Sequence, residues 1–120
     1  MAPKAPVETG PIKVGAIAPL TGDAAAYGVL SQRGVNLAID EINAAGGING
    51  RMLEVIWEDG KCSGTDATTA THKLLDVDKV SFIFGGTCSG EMLAAAPLTQ
   101  AARALLISGT ATSPDITNAG

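Results

Sequence analysis

The sequence predicts an α/β domain: a three-layer parallel sheet of about four strands, built from βαβ units in flavodoxin-like order. Three observations carry this reading. Short apolar runs alternate with helix-periodic segments in the order β-α-β-α-β-α-β. The connections are short, and parallel strands joined by helical crossovers are the economical way to pack such a series. The 15 glycines among 120 residues stand at the ends of apolar runs and form no repeat, so they punctuate elements. Apolar residues make up 46% and aromatics only 3%, enough for a core built from Ala, Val, Leu and Ile.

Ile12 to Pro19 (IKVGAIAP) reads as a buried strand, and Leu20 to Tyr27 (LTGDAAAY) as the small-residue loop after it. A helix is expected from about Gly28 to Ala45, where Val35, Ala38, Ile39, Ile42 and Ala45 form one stripe at helical spacing. Gly34 costs that helix about 1 kcal/mol relative to alanine and is expected where the helix lies close to the sheet. Gly46 and Gly47 stop the helix, since glycine takes the left-handed C′ position without strain. Asn49-Gly50 then turns the chain.

Met52 to Trp57 (MLEVIW) is the second strand and Glu58 to Cys62 its exit loop. Ser63 or Thr65 caps the next helix, whose apolar side is Ala67, Ala70, Thr71 and Leu74. Asp66 in its first turn suits the helix dipole. Val80 to Phe84 is the third strand. A third helix starts near Ser89 and carries Met92, Leu93, Ala95 and Ala96. Pro97, lacking an N–H, is expected to kink or restart it. Leu105 to Ser108 (LLIS) is the fourth strand, and Ser113-Pro114-Asp115 marks a helix start in the segment that follows.

Residues 1–11 (MAPKAPVETGP) hold three prolines, a glycine and mixed charges, without an apolar h-region. They read as a flexible tail with Met1 as initiator, not as an intact signal peptide. A leader removed beforehand is compatible with this. Residues 12–120 form the domain. The net charge is −4 and the eight Lys and Arg are scattered, which argues against nucleic-acid binding. No apolar stretch approaches the roughly 20 residues of a membrane span.

Two cysteines, Cys62 and Cys88, do not match the paired ligands of a zinc site. They are either separate thiols or a disulfide, and the disulfide is favoured. Closing a loop of this size restrains the unfolded chain by roughly 3 to 3.5 kcal/mol and places the chain in an oxidising compartment.

Ligands in such sheets bind beyond the carboxyl ends of the strands. Those ends hold hydroxyls and glycines: Tyr27, Thr87, Ser89, Ser108, Thr110 and Thr112. The acids there are Asp23, Glu58, Asp59 and, one helical step inside, Glu91, each read as a solvated charge. The only histidine, His72, falls on the second helix away from this edge, facing solvent. Gly85-Gly86 lacks the spacing and lysine of a phosphate loop, and the first turn has no G-x-G-x-x-G. No enzyme, cofactor or metal reading has residues to rest on. Residues 81–90 (SFIFGGTCSG) are the most informative segment. There a buried strand feeds a helix N-terminus at Ser89 through a turn without bulky side chains, suited to an anionic group.

The stretches IKVGAIAPLTGDAAAYG, GVNLAIDEINAAGGINGR, Cys62 after WEDGK, FIFGGTCSGEMLAAAP and LLISGTATSPDIT carry a resemblance over residues 11–120. Together they resemble the N-terminal part of type I periplasmic (extracellular) solute-binding proteins, in the leucine/isoleucine/valine-binding group of branched-chain amino acid ABC transporters. The resemblance implies that Cys62 and Cys88 form a disulfide and that Ser89 holds a ligand's α-carboxylate. It implies that Thr110 and Thr112 take the ammonium and carboxylate and that Tyr27 lines the side-chain pocket; Thr87, a hydroxyl on the same edge, is counted with them as ligand-binding from its position. The implied partners are an amino acid and the membrane permease of an ABC importer, in the periplasm or outside the cell.

Proteins of this kind have two lobes that close on the ligand. This chain is expected to hold an incomplete first lobe, with the second lobe and its acidic partner for the ammonium absent. The fourth strand would then be an open edge, which invites a homodimer. The competing expectation is a structural or engineered half-domain that self-associates and binds nothing.

Overall fold

Residues 2, 3 and 5–120 are described by the structure, a computed structural model. Met1, read above as an initiator, lies outside the described residues, as does Lys4. Four parallel strands, β1 (Ile12–Ala18), β2 (Leu53–Asp59), β3 (Phe82–Phe84) and β4 (Leu105–Ile107), form a sheet in the order β2-β1-β3-β4. Helices α1 (Ala25–Ala44), α2 (Gly64–His72) and α3 (Ser89–Ala102) are the crossovers. This is the expected α/β order. No helix among the described residues is long and apolar enough to cross a membrane.

The core lies between the sheet and the α2–α3 pair. Ile17, Ala67, Ala70, Leu74, Val80, Ile83 and Ala95 form its buried cluster, including three of the four residues read as the apolar side of α2. Thr71, the fourth, is buried with its hydroxyl donating to the Ala67 carbonyl at 2.7 Å. Ser63 caps α2 by accepting the Asp66 N–H at 3.4 Å. After His72 the helix widens into a π turn (Lys73–Val77) that keeps Leu74 fully buried. Leu74 packs so closely on β1 that a Cβ at Gly15 would come within 2.9 Å of it.

The other face of the sheet is covered only in part. Val35 and Ile39 of α1 stand over an apolar groove of about 490 Å³, whose floor includes Val14, Val55, Phe82, Phe84, Leu105 and Ile107. Ala38, Ile42 and Ala45, expected in the buried stripe, are exposed. Near its end α1 meets β2 through Asn43 instead, whose side-chain amide donates to the Leu53 carbonyl at 2.9 Å and accepts the Leu53 N–H at 2.8 Å. A side-chain bond from Trp57 Nε1 of β2 to Asn36 Oδ1 of α1, at 3.1 Å, helps to hold the helix down.

Several boundaries differ from expectation. Helix α1 starts at Ala25, three residues early, because Ala24-Ala25-Ala26 is strongly helix-forming. Tyr27 therefore sits on the helix, not in the loop. Gly34 has nothing within 4 Å of an added Cβ, so it makes no close approach to the sheet. Gly28 does: a Cβ there would overlap the Pro19 carbonyl. Strand β2 runs on to Asp59, since Glu58 and Asp59 keep register with Ile17 and Ala18 of β1. Strand β3 is shorter than expected, beginning at Phe82. Helix α3 passes through Pro97 without a break and is followed at its C-cap by Arg103, in the left-handed conformation. Pro97 is exposed, so its ring stands on the outer side of the helix.

Candidate functional site

All four strand carboxyl ends open on one edge, and the loops there are tied together by polar bonds. Asp59, at the end of β2, accepts N–H bonds from Leu20 at 2.8 Å and Lys61 at 3.0 Å, and a hydroxyl bond from Thr21. Burial pushes its carboxyl upward, but the Thr21 hydroxyl and the surrounding N–H groups outweigh that and hold it below the usual aspartate range. Thus the loop after β1 is anchored to the loop after β2.

Cys62 and Cys88 are joined in a disulfide, with Cα atoms 5.3 Å apart, linking the exit loops of β2 and β3. Glu91, read from the sequence as a solvated charge, is instead completely buried. Its Oε1 accepts the Cys88 N–H at 2.9 Å and its Oε2 the Cys62 N–H at 3.2 Å. Burial pushes this carboxyl upward, Asp59 adds repulsion, and the Cys88, Cys62 and Thr87 N–H bonds oppose both. The other acids behave more simply. Glu58 pairs with Lys73, whose ammonium is raised by its bonds to Asp78 and Glu58. Asp23 is exposed. His72 is exposed as expected, with Nδ1 3.0 Å from Asp76.

Helix α3 begins at Ser89, so its first N–H groups have no helical carbonyl behind them and face the edge. The Ser89 Oγ accepts the Thr112 and Ser113 N–H groups, each at 3.2 Å. An oxygen that accepts two N–H bonds can still turn its own O–H toward an incoming acceptor. Beside it, Ser108 Oγ donates to the Gly86 carbonyl at 2.7 Å and accepts the Ala111 N–H at 3.1 Å. Thr110 Oγ1 donates to the Thr87 carbonyl at 2.9 Å. The segment after β4 is thereby laced to the loop after β3.

A cavity of about 380 Å³ opens here, lined by Tyr27, Leu30, Ser31, Thr87, Cys88 and Thr110. It brings together three of the predicted site residues, Tyr27, Thr87 and Thr110. Ser89 and Thr112 are bonded to each other next to it. Leu30 and Ser31 join the lining without a motif to mark them in the sequence. They follow Tyr27 at i+3 and i+4, so they share its helix face, a signal available only once α1 is started at Ala25. Tyr27 is 72% and Leu30 64% exposed, so this wall of the cavity is open to solvent. In chemical terms its lining offers hydroxyls and an apolar wall with no acid–base pair, and the start of α3 follows directly after Cys88.

A doubly wound lobe with such a pocket beyond its strand ends has the form of a small-molecule binding module. The chain belongs to the periplasmic binding protein family, whose model matches residues 11–120. It is 36% identical over 109 residues to a leucine-, isoleucine-, valine-, threonine- and alanine-binding protein of Pseudomonas aeruginosa, covering 91% of this chain and 29% of that protein. Among solved structures it resembles the branched-chain amino acid transporter substrate-binding protein of Streptococcus pneumoniae in complex with isoleucine. There the TM-score is 0.86 and the identity 41%, over 90% of this chain and 31% of that one. A solute-binding protein of an ABC transporter from Rhodopseudomonas palustris, in complex with 3,4-dihydroxybenzoic acid, matches with TM-score 0.83 and 30% identity, over 91% and 30%. The chain spans about a third of the length of these relatives. The resemblance read from the sequence motifs is borne out, as is the fold.

Proposed function

We propose that residues 12–120 are the N-terminal ligand-gripping lobe of the substrate-binding component of an amino acid ABC importer, and that the ligand is held without being converted. The observation that carries this is the meeting of the α3 start, the Ser89 hydroxyl and the 110–112 segment beside one open pocket. The α3 N–H groups and Ser89 take the ligand's carboxylate. Thr110 and Thr112 share the carboxylate and the ammonium. Tyr27 and Leu30 form the side-chain wall, and Thr87 borders it. An acidic partner for the ammonium then comes from a second lobe facing the open side. The ligands bound in the two structural relatives, isoleucine and 3,4-dihydroxybenzoic acid, have a carboxyl group in common.

Relatives in this family are periplasmic binding proteins. A periplasmic or extracellular setting for this chain, with a leader removed and a membrane permease as partner, agrees with the Cys62–Cys88 bridge. The test is calorimetric titration with leucine, isoleucine, valine, alanine and 3,4-dihydroxybenzoate, using isobutylamine as the carboxyl-free control. Heat with a carboxylate and none with the amine supports the reading. No heat with any carboxylate, for this chain and for its longer parent if there is one, overturns it.

A second reading, self-association without binding, rests on β4. Among the described residues this strand pairs only with β3, and Leu105 and Ile107 are exposed beside its free edge. A melting midpoint unmoved by ligand, with a dimer mass in light scattering, favours it over ligand binding.

A further inference from the structure

We infer that Glu91 is a positioning residue for this pocket: its buried carboxylate locks the exit loops of β2 and β3 together and so aims the start of α3. Among the described residues it is the only charged side chain that is fully buried. One oxygen holds the Cys62 N–H and the other the Cys88 N–H, so each loop is gripped by its own acceptor. Two glycines make room for it. A Cβ at Gly60 would overlap Oε2, and a Cβ at Gly86 would overlap the Glu91 Cβ. A cradle that two side chains would fill is shaped around this carboxylate.

The disulfide between the same two residues does not make the carboxylate redundant. A disulfide limits the separation of two Cβ atoms, whereas a carboxylate accepting two N–H bonds fixes the direction of both peptide planes. The Cys88 peptide leads directly into Ser89, whose hydroxyl holds Thr112 and Ser113. Position is thus passed from the Cys62 loop through Glu91 and Cys88 to Ser89, and on to the segment after β4. Among the described residues, the charged groups around it do not supply a cation. Asp59 faces it from the end of β2, while Lys61 and Asp66 pair with each other at the surface, 3.8 Å apart. The backbone N–H groups and the α3 dipole alone hold the charge.

This inference deepens the proposed function and rests on it for the meaning of the pocket, but its test is readable without ligand. In a pH titration of the isotope-labelled chain followed by NMR, the amide signals of Cys62, Cys88, Ser89, Thr112 and Ser113 should share one midpoint. That midpoint should lie above the ordinary glutamate value of 4.5. Glu91→Gln should abolish the shared midpoint and, where the wild type binds leucine, weaken it about tenfold or more at neutral pH. Should Glu91→Gln fail to fold, Gly60→Ala crowds Oε2 without altering any charge, and it should move the same five amides. Ser89, Thr112 and Ser113 signals that titrate apart from Cys62 and Cys88, or that ignore Gly60→Ala, overturn the inference. So does leucine affinity unchanged in Glu91→Gln. A wild type that binds no amino acid removes the ligand reading, and the amide titration still decides the role of Glu91.

Discussion

Replacing Ser89 with alanine separates two contributions of one oxygen. In the folded chain that oxygen accepts the Thr112 and Ser113 N–H groups, each at 3.2 Å. Thr112 is exposed and Ser113 half-buried, so water replaces the first bond readily and the second only in part. At about 1 kcal/mol per net hydrogen bond, partial replacement leaves a loss of roughly 1 kcal/mol in unfolding free energy. A hydroxyl donating to a carboxylate makes a charge-assisted bond worth about 1.5 to 3 kcal/mol. Ser89→Ala should therefore weaken binding of a carboxylate ligand by roughly 10- to 150-fold while lowering stability only slightly. Urea unfolding measures the loss of stability and calorimetric titration with leucine the loss of affinity. A variant that loses stability as expected but binds leucine as tightly as the wild type would refute the assignment of Ser89 to the carboxylate.

The two helix glycines should respond in opposite directions. Gly34→Ala adds a methyl to open space and should raise stability by about 1 kcal/mol, whereas Gly28→Ala collides with the Pro19 carbonyl and should lower the melting midpoint. Asp59 is held below the usual carboxylate range, so the stability it contributes is present above 3.8, the unfolded value, and is lost as pH falls through its lower folded value. The gap between wild type and Asp59→Asn should therefore be full at neutral pH and close in strong acid. Glu91 has the opposite sign. Its raised carboxyl favours the fold below the unfolded value of 4.5, and that contribution is lost as pH rises through the folded value. Converting both Cys62 and Cys88 to alanine should cost about 3 kcal/mol by denaturant unfolding, an effect absent when the wild type is measured fully reduced.

The sequence made the layered order legible because its cues are local. Ala67, Ala70 and Leu74 recur at helical spacing and are buried. Ser63 stands three residues before the N–H it caps. The anion-suited start at Ser89 follows from a short apolar strand ending in Gly85-Gly86. What escaped depends on contacts distant in sequence. Glu91 looks like any first-turn acid until Cys62 is folded against it from 29 residues away. The tolerance of Gly34 and the necessity of Gly28 are set by where α1 crosses the end of β1, which periodicity does not encode. The alanines before Tyr27 match a small-residue connection as well as a helix, so the sequence alone does not put Tyr27 on α1. Pro97 reads as an interruption of α3, yet on the exposed side of a packed helix the lost bond is tolerated.

The bond between Trp57 and Asn36 gives the chain an internal optical reporter. Trp57 is the only tryptophan, it lies on β2, and its indole N–H is committed to a helix that also carries the Tyr27, Leu30 and Ser31 wall. Any rocking of α1 as the pocket fills would stretch or relax that bond and change the polarity around the ring. Intrinsic fluorescence can therefore follow the seating of one wall of the pocket with no label attached.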